Sequence, residues 1–214
     1  MRSHAVSVTR TAHVWSEGPP AGEASAVWFV LHGYAQRAPS FLADCAALAD
    51  GSRLLVAPEG LSRFYRRGGA GEVGASWMTK AERGAEIEDY VGALDRIHNE
   101  LVGNGEVPVH VLGFSQGGAT AARWVTRGDA FRERPAKGLV LWGSGLPPEL
   151  DEKRMRERLD GTEVCFVLGA SDALVDAEGL ADDERRLRAA GVETRLERFA
   201  GGHELDGPTL VGLT

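Results

Sequence analysis

Several short, largely apolar runs that carry no alternation of polar residues limit this chain more than anything else in it. They are Ala26–Leu31, residues 53–57, Val107–Phe114, Gly138–Trp142 and Val164–Leu168. A strand half open to water would alternate, so unbroken runs of this length belong to strands covered on both faces. The segments between them carry helical spacing. Residues 39–49 suit a short helix opened by Pro39, and Ile87, Tyr90, Val91, Leu94, Ile97 and Leu101 share one helical face. Strands alternating with helices need crossover connections, which give a mainly parallel sheet with helices on both faces. The fold class expected is therefore α/β.

The remaining elements follow the same logic. Residues 6–15 alternate loosely and read as a strand or hairpin before the break at Gly18-Pro19-Pro20. The stretch 59–78 is rich in glycine and aromatics and reads as a long irregular loop, either bordering a site or simply solvated. Thr79-Lys80-Ala81-Glu82 fits the capping box of a helix that Asn104-Gly105 ends. A helix carrying Ala119, Ala122, Trp124 and Val125 follows the third strand. A charged helix over 149–159, a helix over 176–190, a strand over 192–199 and a terminal helix over 206–213 complete the chain. The run Lys153–Arg158 reads as a solvated face, and His98 as a solvated residue of the long helix. No repeat or linker interrupts the pattern, so residues 1–214 are expected to form a single domain.

Charge and composition narrow the partners. A net charge of −7 with a pI near 5.4 lacks the basic face that nucleic-acid binding needs, and it is poorly suited to an anionic membrane. No stretch approaches the ~18 apolar residues of a membrane span, and the first fifteen residues contain no signal-peptide core, so the chain reads as cytoplasmic. Cys45 and Cys165 sit in apolar surroundings and read as buried free thiols; two cysteines are too few for a zinc cluster.

The chemistry begins at Gly113-Phe114-Ser115-Gln116-Gly117. This G-x-S-x-G sequence ends a buried strand and opens a helix, the setting of a nucleophile elbow. A serine hydroxyl needs a base to take its proton. Chain order in such a fold places acid and then base after the serine. Only one of the six histidines, His203, follows Ser115, and it lies in a loop directly after the last strand. Asp172, just after the strand 164–168, is the first choice of acid; Asp176, four residues on, competes, but a helix N-cap is the simpler explanation of it. An oxyanion requires preorganised donors. The N–H of Gln116 and that of Tyr34, in the loop after His32-Gly33, are the candidates, with His32 holding the loop.

Taken together, Leu31-His32-Gly33, Gly113–Gly118, Gly143-Ser144-Gly145-Leu146-Pro147, Gly169-Ala170-Ser171-Asp172 and Gly202-His203-Glu204 resemble the phospholipase/carboxylesterase family, over about residues 27–205. These are small α/β-hydrolases that include acyl-protein thioesterases. The resemblance implies an α/β-hydrolase fold with little or no lid, a serine esterase activity and no cofactor. The loop Tyr34-Ala35-Gln36-Arg37 departs from the family's usual His-Gly continuation, which points to a subgroup with its own substrate. Phe64, Tyr65, Trp77, Met78 and Leu146 are candidate walls of a substrate pocket, and Arg63, Arg66, Arg67, Lys80 and Arg83 lend the 59–78 loop local positive charge. Gly69-Ala70-Gly71-Glu72-Val73-Gly74 matches a dinucleotide fingerprint in letters, but it neither follows a strand nor opens a helix directly, so no nucleotide is expected there. The reading is a serine hydrolase of small-molecule carboxylic esters, with no metal. A thioesterase or amide hydrolase and a non-catalytic binding module are the alternatives, and the oligomeric state is open.

Overall fold

The apolar runs become the strands of one seven-stranded sheet in the computed structural model, which describes residues 2–213. In chain order the strands are β1 (Val14–Glu17), β2 (Val27–Leu31), β3 (Leu54–Pro58), β4 (Ser62–Arg67), β5 (Ala70–Ser76), β6 (Val109–Phe114), β7 (Gly138–Trp142), β8 (Glu163–Gly169) and β9 (Thr194–Phe199). The sheet order is β1-β3-β2-β6-β7-β8-β9, with β1 antiparallel to β3 and every other neighbouring pair parallel. β4 and β5 form a separate antiparallel hairpin.

Both sheet faces are covered, as unbroken apolar strands require. Phe29, Val111, Leu139 and Phe166 point to one core with helices α2 (Arg83–Leu101), α3 (Gln116–Arg127), α4 (Glu152–Arg158) and α5 (Ala177–Ala189). Trp28, Leu112, Val140 and Val167 point to the other, with α1 (Ala38–Asp44) and α6 (Gly207–Gly212). Cys45 and Cys165 are buried free thiols; burial pushes Cys165 up to about 12 and Cys45 higher still. Among the described residues no helix is long and apolar enough to cross a membrane.

Four local expectations are corrected. First, the stretch 59–78 is not an irregular loop. Gly68 and Gly69 take positive φ (37° and 70°) and turn β4 back on β5, so the fingerprint-like glycines lie in a hairpin turn and a strand. Two adjacent glycines between short strands are a hairpin signal that composition alone disguised as a loop. Second, Thr79-Lys80-Ala81-Glu82 does not cap the long helix. Glu82 is left-handed (φ 48°), α2 starts at Arg83, and the Thr79 N–H and hydroxyl both donate to Glu86. Third, His98 is buried, 7% exposed, with its ring 5.9 Å from Phe29 and 5.6 Å from Phe131. It continues the stripe Ile87, Val91, Leu94 by one more turn, and burial lowers its pKa. Fourth, only Val14–Glu17 of the N-terminal segment is a strand. On α4, Met155 is buried while Lys153, Arg154, Arg156 and Glu157 face water.

Candidate active site

Sheet register brings the singled-out residues to one edge. Leu31 pairs with Gly113, Phe114 with Trp142, and Gly169 with Phe199. The loops after β2, β6, β7, β8 and β9 therefore leave the sheet side by side. This is the carboxyl edge, where open α/β sheets present their sites.

Ser115 occupies the sharp turn between β6 and α3, at φ 54° and ψ −119°. A non-glycine residue there is strained and persists only when its surroundings over-determine it. They do: the Ser115 N–H donates to the Trp142 carbonyl at 2.8 Å, and the glycines on either side allow no substitute. A Cβ on Gly113 would stand 2.1 Å from the Gly117 carbonyl oxygen, and one on Gly117 2.0 Å from that of Leu31.

Asp172 and His203 meet at the ends of β8 and β9. His203 Nδ1 lies 2.7 Å from Asp172 Oδ2, and the other carboxylate oxygen accepts the Leu174 N–H at 2.9 Å. The Asp172 side chain is 1% exposed and that of His203 19%. An Nδ1–H donated to the carboxylate leaves Nε2 as the acceptor. The Phe114 ring packs on the imidazole at 4.8 Å between centroids. Gly143 lies against the pair; it adopts φ 57°, and a Cβ there would come within 2.9 Å of His203 Cε1. Asp176, the competing acid, caps α5 by accepting the Glu178 N–H at 3.1 Å.

Tyr34 and Gln116 stand on the two adjacent turns. The N–H groups flanking Tyr34 are taken: that of Gly33 by Gln36 Oε1 at 2.7 Å and that of Ala35 by the Ala75 carbonyl at 2.9 Å. Gln116 opens α3, where an N–H has no intrahelical acceptor. His32 is fully buried. Its Nδ1–H donates to the Gly33 carbonyl at 2.7 Å and its Nε2 accepts the Gly60 N–H at 3.0 Å, while burial lowers its pKa.

The five residues expected to wall a pocket separate. Leu146 lines a cleft of about 470 Å³ beside Gly143, together with Leu174, Val175 and Leu180. Phe64 stacks on the Tyr34 ring at 5.3 Å, and Tyr65 is 54% exposed on the hairpin. Trp77 is no open wall: it is 3% exposed, and its indole N–H donates to the His32 carbonyl at 2.8 Å. Met78 packs against the core, its carbonyl accepting from Gln116 Nε2 at 2.8 Å. Much of the expected positive charge is paired, Arg63 with Glu59 at 2.9 Å, Arg66 with Glu72 at 3.2 Å and Arg83 with Glu149 at 3.1 Å. A larger cavity of about 900 Å³ lies at the other end of β6, between residues 102–109 and 129–137, and touches none of these groups.

A mostly parallel sheet with a strained serine on its central turn and an Asp–His pair at its carboxyl edge defines an α/β-hydrolase. The chain belongs to the serine hydrolase (FSH1) family, whose model matches residues 26–205. No curated protein matches it in sequence. Solved structures carry the same fold. Esterase PE8 is 20% identical at a TM-score of 0.70, the alignment covering 95% of this chain and 96% of that one. A phospholipase/carboxylesterase from Dyadobacter fermentans is 17% identical at 0.70, covering 97% and 96%. A carboxylesterase from Bacillus cereus is 15% identical at 0.68, covering 94% and 91%.

Proposed function

We propose that this serine hydrolase cleaves small carboxylic esters through an acyl-enzyme on Ser115. The observation that carries the reading is the 2.7 Å contact between His203 Nδ1 and a buried Asp172, on the edge that also holds the strained Ser115. Ser115 Oγ attacks the carbonyl carbon while its proton passes to His203 Nε2. Asp172 fixes the imidazole and stabilises the cation that forms. The Tyr34 and Gln116 N–H groups hold the oxyanion. Collapse of the tetrahedral intermediate breaks the C–O bond, and His203 returns the proton to the departing alcohol. Water then repeats the sequence with the same base and releases the acid. The solved relatives named as esterases support an oxygen ester as the substrate.

The test is Ser115→Ala. Hydrolysis of p-nitrophenyl acetate and labelling by a fluorophosphonate probe should both vanish with the thermal midpoint little changed. Retained turnover, or wild-type labelling at another serine, would overturn the assignment.

A further inference from the structure

The two proposed oxyanion donors belong to different turns, and each turn holds a residue in a rarely populated backbone conformation. Tyr34 is followed by Ala35 at φ 63°, a conformation an alanine rarely adopts. Gln116 follows the strained Ser115. The distance between their N–H groups must be held to within a few tenths of an ångström for both to reach one oxygen.

A single segment, Gly74–Met78, touches both turns. On the side of Tyr34 it acts through the backbone. Ala35 N–H donates to the Ala75 carbonyl at 2.9 Å, and Ala75 N–H donates to the Gln36 carbonyl at 3.0 Å. The approach is so close that a Cβ on Gly74 would stand 2.7 Å from the Ala35 carbonyl oxygen. On the side of the elbow it acts through one side chain. Gln116 Nε2 donates to the Met78 carbonyl at 2.8 Å, and Gln116 Oε1 accepts the Trp77 N–H at 3.1 Å; the Ser76 hydroxyl, 3.3 Å from the same oxygen, shares its one proton with the Met78 carbonyl at 2.9 Å. The amide is thus engaged at both ends, and it spans from the helix start to the end of β5.

We propose that the Gln116 side chain is a positioning residue for the oxyanion hole: it clamps the elbow to the segment that also carries the Tyr34 loop, and so fixes the spacing of the two donors. This rests on the ester-hydrolase reading above. The backbone N–H of Gln116 touches the reacting oxygen; its side chain acts only through placement. Removal of the clamp should spare the ground-state carbonyl, which is held weakly, and penalise the charged tetrahedral species.

Gln116→Met keeps the length and the backbone N–H and loses all three hydrogen bonds. Gln116→Glu keeps the acceptor and sets a carboxylate against the Met78 carbonyl. For each, kcat and KM on p-nitrophenyl esters and the Ki of a boronic acid that forms a tetrahedral serine adduct are to be measured. Loss of one donor in such a site costs roughly 10²–10³ in kcat. For a displaced donor we expect kcat to fall about 10–100-fold, KM to change less than about threefold, and boronate affinity to fall in step with kcat. A loss carried by KM with boronate affinity unchanged would overturn the proposal, as would kcat within twofold of wild type in both variants. If Gln116→Met fails to fold, Gln116→Glu decides by the same criteria; if neither folds, Ser76→Ala, which removes the hydroxyl shared between Gln116 Oε1 and the Met78 carbonyl, must lower kcat and boronate affinity together or the proposal fails. Failure of Ser115→Ala to abolish turnover would instead remove the ester-hydrolase reading itself, so the two outcomes are separable.

Discussion

His32 and His203 are both held through Nδ1, one by the Gly33 carbonyl and the other by the Asp172 carboxylate, and they are suited to different work. Nε2 of His32 is spent on the Gly60 N–H, and the ring is fully buried, so it ties the end of β2 to the residue after Glu59. His203 is engaged through Nδ1 by Asp172 and retains 19% exposure, and among the described residues no partner claims its Nε2 as Gly60 claims that of His32. The same contrast separates the carboxylates. Asp172→Asn should lower kcat by on the order of 10⁴, because the amide favours the wrong tautomer of His203. Asp176→Asn should cost at most about 1 kcal/mol of helix capping and little rate. Steady-state kinetics and thermal melts on both variants check this, and the reverse ranking would move the acid to Asp176. Ser115, Asp172 and His203 could be singled out from the sequence because each follows a strand, and the structure sets His203 against Asp172 on the same sheet edge as Ser115. The clamp by Gln116 could not be singled out in that way. Its partners Ser76, Trp77 and Met78 lie about 40 residues upstream, on a hairpin whose seat over the elbow no local pattern announces. Trp77 misled for the same reason: an aromatic residue beside a glycine-rich stretch looks like a pocket wall until its indole N–H is found on the His32 carbonyl.

Among the elements, two of the helices over one sheet face, α2 and α3, are joined at a single carboxylate. Glu149, just before α4, receives Arg123 of α3 at 2.7 Å, Arg83 at the start of α2 at 3.1 Å and Arg127 at 3.7 Å. Burial works against its charge, but hydrogen bonds from Arg123 and Arg83 prevail and hold the carboxyl down at about 2. The folded value lies below the ordinary 4.5, so the unfolded chain binds the proton more readily. The stabilisation is full above about pH 4.5 and is lost as pH falls toward 2. Glu149→Gln should therefore lower unfolding free energy by about 1–2 kcal/mol at pH 7, solvent at this partly exposed network screening part of the charge, and the gap to wild type should close as pH approaches 2. Urea melts at several pH values measure it; a gap that stays constant would mean the network contributes nothing through charge. Such a node joins residues more than 60 positions apart and leaves no mark in periodicity, whereas the helices it joins were visible from their apolar stripes. The boundaries that slipped, at Glu82 and in the 59–78 hairpin, are those where side chains reach across several residues or glycines set the path.

Over the whole molecule, the alternation of buried strands and crossover helices carried most of the architecture. A run such as Val27–Leu31, apolar at every position, has only one kind of home, between two layers of helices. What the alternation did not contain is which strands neighbour which. The order β3-β2-β6-β7 puts the Ser115 turn at the sheet's centre and the Tyr34 turn beside it, and the chain reaches that arrangement through long-range pairing alone.

The same order places β9 at the rim, paired on one side only, and His203 rides on the loop that follows it. Rim strands open by local fluctuation more readily than central ones. Hydrogen exchange should therefore be faster in residues 194–199 than in 109–114, and moderate urea should extinguish turnover before it melts the far-ultraviolet circular dichroism of the helices and sheet. Coincident midpoints for activity and circular dichroism would refute it. The heat and denaturant tolerance of the activity is then set by fraying at one margin, and reinforcing that margin should lengthen the enzyme's working life without any change to the reacting groups.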